Sequence, residues 1–359
     1  MDSKNVVENS SLVVGDIAAV QPKSKRSNSI IWIQAAGLIF GFGLFFYVIQ
    51  RIGLHTITEA LGRVGWGFLP IIALNGTRHF LRAACIYLAV APENRTFKFR
   101  HALAARLGGE AVSVITFTGP VLGDLTKAVL LKKNTAFTSS AAAIIVDNIL
   151  YYLSVVLMIL VGIGVMLYTF GSGDVYLRYS IFAVSAFTLL IITGLILTVK
   201  FHFKPLSWMV KKLSNLKLLP KFIHAKKHYI QQIEDNVFNF YLHRKPAFYA
   251  ISGLIISAHI LSVCEVYLAL RLLDLAAFPL TALIIESLTK VINMAFSFVP
   301  GTIGVYEGGN GVILNFLGYA TAAGVALALL RRSAILFWTF VGLAILLWRT
   351  LTRGTEKSI

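Results

Sequence analysis

The chain has 359 residues, of which 57% are hydrophobic and only 14% are charged, a balance well outside that of soluble domains. Its formal net charge is +17, with 33 Lys and Arg against 16 Asp and Glu. The basic residues lie mostly in short loops between apolar runs, and no nucleic-acid-binding motif accompanies them. We therefore expect anionic lipid headgroups as the counter-charge, and no nucleic acid partner.

Apolar runs of roughly 20 residues, enough to cross a bilayer core as a helix, recur along the chain. The predicted spans are residues 31–49, 67–90, 138–168, 179–198, 246–270 and 333–349. Two more apolar stretches, 102–126 and 279–330, are broken by proline and glycine. The pattern predicts an all-α polytopic membrane protein with about six spanning helices, two broken or re-entrant hairpins and a possible inverted repeat.

Charge and polarity divide the rest of the chain. Residues 1–29 have the composition of a disordered tail and lack the apolar core of a signal peptide. Residues 30–350 are predicted to form a single transmembrane domain, followed by a short tail at 351–359. Within it, residues 199–245 alternate basic and apolar side chains, which indicates amphipathic helices on a cytoplasmic leaflet or a solvated connector. The excess of Lys and Arg in these segments places both termini in the cytoplasm and leaves few basic residues, Arg331 and Arg332 among them, for an outer loop.

The stretch GGEAVSVITFTGPVLGDLTK, residues 108–127, combines ionisable residues with helix breakers. Basic loops flank it on both sides, so we expect it to enter from the cytoplasm, bend near Gly119–Pro120 and return. By the same parity, 279–330 enters from the outer face and bends near Pro300–Gly301, or else forms two short crossings. Irregular backbone at membrane depth is tolerated when it is buried in protein or lines a wet cavity, which favours a transport site near the midplane.

The two stretches share a loose motif. Pro120-x-x-Gly123-Asp124 in the first corresponds to Pro300-x3-Gly304-x2-Glu307 in the second. This correspondence is the sequence basis for the possible inverted repeat.

Asn75, Arg78, His79 and Arg82 are spaced to form one polar stripe on the second predicted span. A pair of arginines at this depth requires a partner or a water-filled cavity. Two readings stay open: the guanidinium groups bind a lipid headgroup, or they pair with an intramembrane carboxylate for structural reasons. Glu265 is the candidate carboxylate partner of either arginine.

Two further stripes carry polar residues into predicted helices. Asp147, Asn148, Tyr151 and Tyr152 form the first. The second contains Glu286, Lys290, Asn293 and Ser297, and its Glu286–Lys290 spacing favours an ion pair within the helix.

The sequence contains no metal-ligand spacing, nucleophile elbow or phosphate-cradling loop. We therefore expect no enzymatic activity, no metal and no cofactor, although an intramembrane lipid-modifying enzyme stays an alternative.

RLGGEAVSVITFTGPVLGDLTKAVLLKK at 106–133 and FVPGTIGVYEGGNGVILNFLGYATAAGVALALLRR at 298–332 resemble the two signatures of the lysylphosphatidylglycerol synthase transmembrane-region family, also described as flippase-like. The form of the second signature is most similar to the branch linked to hopanoid biosynthesis. The chain departs from the family pattern at LGDL, where Gly-Gly-Glu-Pro is usual, and it lacks an aminoacyl-transferase domain, so the resemblance does not imply synthase activity.

The resemblance implies movement of an amphipathic lipid between the leaflets of a bacterial inner (cytoplasmic) membrane. Combined with the polar stripes, it indicates candidate substrate-binding residues Arg78, Arg82, Arg106, Glu110, Asp124, Lys127, Asp147 and Glu307, with backbone bends at Pro120, Gly123, Pro300 and Gly304. The expected ligand is a membrane lipid with an anionic or polar headgroup. The alternative is a non-catalytic membrane partner that presents lipid to a separate biosynthetic enzyme.

Overall fold

The computed structural model of the chain describes residues 64–116, 119–132, 135–170, 227–297 and 299–355, with a few isolated positions besides. The predicted spans at 31–49 and 179–198 and the N-terminal tail lie outside the described residues. Every regular element within these ranges is helical. The helices are α1 (Phe68–Ala89), α2 (Phe99–Ile115), α3 (Pro120–Leu131), α4 (Phe137–Phe170), α5 (Lys227–His243), α6 (Lys245–Leu272), α7 (Pro279–Ala295), α8 (Val305–Phe316) and α9 (Thr321–Thr355).

Three of these helices, α4, α6 and α9, are long and apolar enough to cross a membrane. Two of them match the predicted spans 138–168 and 246–270 to within two residues. The helix α9 instead begins at Thr321, twelve residues before the predicted start at 333. Arg331 and Arg332, which we assigned to an outer loop, lie inside this helix because buried carboxylates neutralise them. The molecule is a helical membrane protein.

The first broken stretch forms a hairpin of two helices, α2 and α3, which pack against each other. It bends at the predicted position: Gly119 has a φ of +47°, and Pro120 begins α3, where its missing N–H costs nothing. The arms touch through backbone, because a Cβ on Gly123 would lie 2.6 Å from the carbonyl oxygen of Gly109. The glycines of the GGE and LGD sequences therefore allow the close packing of the hairpin.

The second broken stretch contains α7 and α8, joined by a short 3₁₀ turn at Pro300–Thr302. Three residues at this bend have positive φ: Gly301 at 60°, Thr302 at 50° and Gly304 at 77°. Gly304 directly precedes α8, as Gly119 directly precedes α3. The structural counterpart of Gly304 is thus Gly119, and not Gly123 as the sequence comparison suggested.

The described chain falls into two halves with the same order of helices. The first half is α1–α4 and the second is α6–α9, and in each a long helix is followed by helices of 17 and 12 residues and then by one of at least 34. The first helices of the two halves, α1 and α6, run antiparallel. Gly67 faces Leu272 at one end, Arg78 binds Glu265 in the middle, and Cys85 faces Ile251 at the other end.

Each half packs one helix of its broken stretch against the last helix of the other half. The helix α2 of the first half packs against α9 of the second, and α7 of the second half packs against α4 of the first. Both contacts are close at a glycine: a Cβ on Gly342 would lie 2.3 Å from the Leu107 carbonyl oxygen, and one on Gly162 would lie 2.1 Å from the Ser287 hydroxyl. Small residues allow helices to approach closely where lipid provides little apolar driving force.

The predicted amphipathic segment at 199–245 is described mainly through α5, which packs against α4 and contacts α6. Two polar contacts join α5 to the chain before it: Lys204 pairs with Asp235, and Ser207 binds Glu234. Between α5 and α6, Arg244 donates hydrogen bonds to the carbonyl oxygens of Leu88 and Ala89 at the end of α1.

The backbone contact in the first hairpin gives a test of the fold. Replacing Gly123 by Ala forces a methyl group against the carbonyl oxygen of Gly109, so we expect a loss of about 1–3 kcal/mol in stability. The matched control is Gly253→Ala in α6, where a Cβ would meet no atom within 4 Å. The measurement is thermal unfolding of the purified protein in detergent. Equal midpoints for the two variants would contradict the close packing of α2 against α3.

Candidate ligand-binding cavity

A polar cavity of about 190 Å³ lies between the two halves. Residues from α1, α2, α4, α6, α7, α8 and α9 line it, so it forms only when both halves are assembled. Its walls carry more cations than carboxylates: Arg78, Arg82, Arg106, Lys290 and Arg331 against Glu110, Glu265 and Glu286. Because such groups are costly to bury, their convergence on one cavity marks it as the candidate functional site.

The polar stripe of α1 forms one wall of this cavity. Asn75, Arg78, His79 and Arg82 all line it, as their helical spacing predicted. Arg78 donates a hydrogen bond to Glu265 in α6 at 2.7 Å. Arg82 instead binds Asp147 in α4, also at 2.7 Å. Both arginines therefore have carboxylate partners and still face the cavity, so the two readings of the stripe are compatible.

A set of buried ion pairs, which includes Arg78, also lines the cavity. Glu265 binds Arg78 through one oxygen and Arg331 through the other, the second at 3.1 Å. Arg331 also binds Glu286 at 2.8 Å, and Glu286 binds Lys290 at 3.0 Å. The Ser262 hydroxyl donates a further hydrogen bond to Glu286 at 2.6 Å. The predicted Glu286–Lys290 pair is thus present but belongs to a larger network.

The first hairpin contributes its own charged pairs. Arg106 and Glu110 lie one turn apart in α2 and pair at 3.0 Å, with both side chains lining the cavity. In α3, Lys127 pairs with Asp124 at 2.7 Å, and Asn148 of α4 donates to the same carboxylate at 2.6 Å. This second pair ties the hairpin to α4.

Tyr151 of α4 also lines the cavity. The guanidinium carbon of Arg82 lies 4.0 Å from the centre of its ring, a cation–π contact. Its ring also stacks on His259 at 5.4 Å, and that histidine shares a hydrogen bond of 2.8 Å with Ser154. Lys290 reaches the Tyr151 hydroxyl at 3.5 Å. The tyrosine therefore contacts both halves.

Glu307 has a different position from the other predicted site residues. It is fully buried, pairs with Arg332 and accepts a hydrogen bond from the Gly304 N–H at 2.8 Å. Arg332 also donates to the carbonyl oxygens of Gly301 and Thr302. Glu307 is not among the described residues that line the cavity. It holds the second bend in place, and of the two predicted site residues Glu110 and Glu307 only Glu110 lines the cavity.

The remaining predicted site residues fall into two groups. Arg78, Arg82, Arg106 and Glu110 line the cavity; Asp147, Asp124 and Lys127 do not, although Asp147 holds Arg82 in position. The bends at Pro120 and Pro300 lie outside the lining as well, as do Gly123 and Gly304.

Sequence reasoning missed two cavity residues as ligand-binding candidates, Lys290 and Arg331. The first was treated as neutralised by Glu286, and the second as a loop residue. The signal for Lys290 was the spacing Glu286, Lys290, Asn293, which puts three polar residues on one face of α7; Arg331 has no comparable local signal.

The ion pairs of the two halves occupy equivalent places with their charges exchanged. In α2 the eighth residue is Arg106 and the twelfth is Glu110, whereas the same places in α7 hold Glu286 and Lys290. Both pairs are 3.0 Å long. The geometry of one half is therefore repeated in the other with reversed polarity.

The ion pair between the first and last helices of each half also corresponds, again with the acid and the base exchanged. Arg82, seven residues before the end of α1, binds Asp147, the eleventh residue of α4. Glu265, seven residues before the end of α6, binds Arg331, the eleventh residue of α9.

The contacts of the bends correspond in the same way. Asp124 binds Asn148 in the first half, and Glu307 binds Arg332 in the second, each partner being the twelfth residue of its helix.

Comparison with known proteins agrees with this architecture. Residues 34–343 match the family described as lysylphosphatidylglycerol synthase TM region. The match covers most of the chain and includes both hairpins. Neither the curated proteins nor the solved structures contain a significant match. The match does not separate the hopanoid-associated branch from other branches, so that assignment stays a prediction. The chain belongs to the lysylphosphatidylglycerol synthase transmembrane-region family.

Proposed function

We propose that the protein is a lipid translocase that moves an amphipathic lipid with an anionic or polar headgroup between leaflets. The observation that carries this proposal is the charged cavity enclosed between two halves whose outer faces are apolar. The lipid headgroup enters the cavity and meets Arg78, Arg82 and Arg106, while its acyl chains stay in the bilayer. Membership of a lipid-related membrane family supports the same assignment.

The electrostatics of the cavity favour an anionic group. Five cations and three carboxylates line it, and Asp147 neutralises Arg82 from behind, so one positive charge is left over. An anion that enters the cavity offsets this charge in a medium of low dielectric constant, where the attraction is stronger than in water. Partly buried arginines also present N–H groups in a planar fork that fits phosphate and carboxylate oxygens.

The correspondence of the two halves supports a transport cycle based on an inverted repeat. In such proteins the substrate lies between repeats of opposite orientation, and rocking of one repeat against the other exposes the site to each side in turn. The antiparallel α1 and α6, and the hairpins that each half directs toward its partner, fit this arrangement. In this proposal the hairpins are re-entrant, the first from the cytoplasm and the second from the outer face.

We propose transport and not chemistry for this cavity. Each of the three carboxylates that line it is bound by a cation, an arrangement that suits the binding of a charged headgroup. An enzyme of lipid biosynthesis is a suitable partner that would supply or consume the lipid. Binding without movement between leaflets would instead fit the alternative function, the presentation of lipid to such an enzyme.

The test of transport uses a double variant, because Arg82→Ala alone would leave Asp147 buried without a counter-charge. Arg82→Gln with Asp147→Asn removes both charges and keeps groups that can hydrogen-bond. If Arg82 binds a headgroup, we expect lipid movement to slow by about tenfold or more, since a charge-assisted hydrogen bond is worth about 1.5–3 kcal/mol. The measurement follows dithionite quenching of fluorescent phosphatidylglycerol in proteoliposomes.

The matched control is Lys204→Gln with Asp235→Asn, which neutralises an exposed ion pair outside the cavity. It should transport at the unmodified rate. Should the Arg82 and Asp147 double variant also transport at that rate, the pair is structural and the headgroup role of Arg82 is wrong. Failure of the unmodified protein to accelerate lipid movement, with or without a proton gradient, would overturn the proposed function itself.

Orientation in the membrane gives a separate prediction. Glu93 and Asp274 are exposed and lie in the equivalent turns after α1 and α6, which the antiparallel helices place at opposite ends of the molecule. Because the first turn is followed by Arg95, Lys98 and Arg100, we expect it to face the cytoplasm. In a variant without Cys85 and Cys264, a Glu93→Cys residue should react only from inside, and an Asp274→Cys residue only from outside. Labelling of both from one side would contradict the inverted arrangement.

A further inference from the structure

Five charged side chains form a continuous row along the cavity, here called the ionic row. In order they alternate in sign: Arg78, Glu265, Arg331, Glu286 and Lys290. The four successive contacts measure 2.7, 3.1, 2.8 and 3.0 Å. The row begins in α1 of the first half and ends in α7 of the second. Both of its ends are cations.

Both carboxylates of the ionic row face a cation at each oxygen, whereas its cations keep unused donors. Glu265 and Glu286 each use both oxygens and are 1% exposed. Arg78 has five N–H donors, and one of its nitrogens binds Glu265. Arg331 is 5% exposed, and its Nη1 is buried without a hydrogen-bond partner. Donors are thus available in the row, whereas each carboxylate oxygen already faces a cation, including the Glu286 oxygen that pairs with Arg331 without a hydrogen bond.

The surplus of one positive charge belongs to this row and not to its surroundings. Its three cations face two carboxylates. The neighbouring groups that line the cavity or lie behind it are neutral as pairs: Arg82 with Asp147, and Arg106 with Glu110. Arg78 and Lys290 also repel each other. A negatively charged hydrogen-bond acceptor between the two ends of the row would relieve that repulsion and supply the missing counter-charge.

Tyr151 lines the same cavity as the two end cations, Arg78 and Lys290. Lys290 reaches the Tyr151 hydroxyl at 3.5 Å, and the charges of Lys290 and Arg78 both act on it. A phenolic hydroxyl donates one hydrogen bond and can turn to suit an acceptor. The three groups therefore offer an ammonium, a guanidinium and a hydroxyl donor around one space in the cavity wall.

We propose that a phosphate group binds between Arg78 and Lys290, against the Tyr151 hydroxyl, and closes the ionic row into a ring of alternating charge. Phosphate suits this space because its several oxygens can accept from an arginine fork and a lysine at the same time. The assignment rests on the proposed function in that it takes the cavity to be the lipid site, and it adds Lys290 and Tyr151 to the headgroup contacts. The same chemistry would hold inorganic phosphate.

The key variant is Lys290→Met, which leaves Glu286 bound to Arg331 and Ser262 and makes the ionic row neutral. Lys290→Arg keeps the charge of the unmodified protein. The control Lys245→Met removes one exposed lysine outside the cavity, so its net charge equals that of Lys290→Met. The measurement is binding to the full chain in an uncharged detergent, by calorimetry, with size-exclusion profiles to confirm folding. The probes are short-chain phosphatidic acid, inorganic phosphate, and short-chain diacylglycerol as the ligand without phosphate.

We expect phosphatidic acid to bind the unmodified protein, Lys245→Met and Lys290→Arg with similar affinity, and Lys290→Met about tenfold or more weakly, equivalent to about 1.4 kcal/mol. Diacylglycerol should not distinguish these proteins. Displacement of phosphatidic acid only by other phospholipids identifies a lipid headgroup site, and displacement by millimolar inorganic phosphate identifies a site for the free anion. Equal affinity of Lys290→Met and Lys245→Met, or no binding of either phosphate probe, overturns the proposal.

The two proposals fail in different experiments. A phosphate site without movement of lipid between leaflets would leave the ionic row as assigned and remove the translocase function. Rapid movement of fluorescent phosphatidylglycerol by Lys290→Met, at the unmodified rate, would leave the translocase function and remove Lys290 from the headgroup contacts.

Discussion

The structure depends on the requirement that a charge buried at membrane depth must be paired. An isolated carboxylate there costs several kcal/mol, and removal of one partner from a buried pair costs about 3–5 kcal/mol. Glu265, Glu286 and Glu307 are almost completely buried, and each is bound by a cation from a neighbouring helix. Apolar side chains gain little by leaving lipid for another helix, so they specify few contacts. Ion pairs therefore determine which faces of α1, α6, α7 and α9 meet.

This requirement is met twice, with opposite polarity. An ion pair is equally well satisfied when its members exchange places, because distance and net charge do not change. The pair Arg106–Glu110 and its counterpart Glu286–Lys290 therefore support the same backbone. The exchange also explains why the sequence shows so little of the correspondence. A comparison of residue types finds acids opposite bases, and only helix lengths, bend positions and partner positions reveal that the halves are equivalent.

The sequence predicts the helices better than it predicts their partners. Spans and bends follow from apolar run length, proline and glycine, which are local properties, so the break before Pro120 was predictable. The partner of Arg82 was not, since Asp147 lies 65 residues away and no spacing rule connects them. Arg331 was predicted to lie in an outer loop, just before the span that begins at residue 333. It lies inside α9 because two carboxylates from other helices neutralise it, a tertiary fact without a local signal.

One contact has a special place in this network. Arg78–Glu265 joins the first half to the second, whereas the other ion pairs described above for the two halves each lie within one half. Relative movement of the halves would have to strain or break this ion pair, which lies beside the cavity. In the phosphate proposal the ligand lies between Arg78 of the first half and Lys290 of the second. A bound anion would then add a second charged link between the halves, and its arrival and departure would change their relative stability in each orientation. A ligand shifts such an equilibrium only through a difference in affinity between the two states, and a site shared by two moving halves provides that difference.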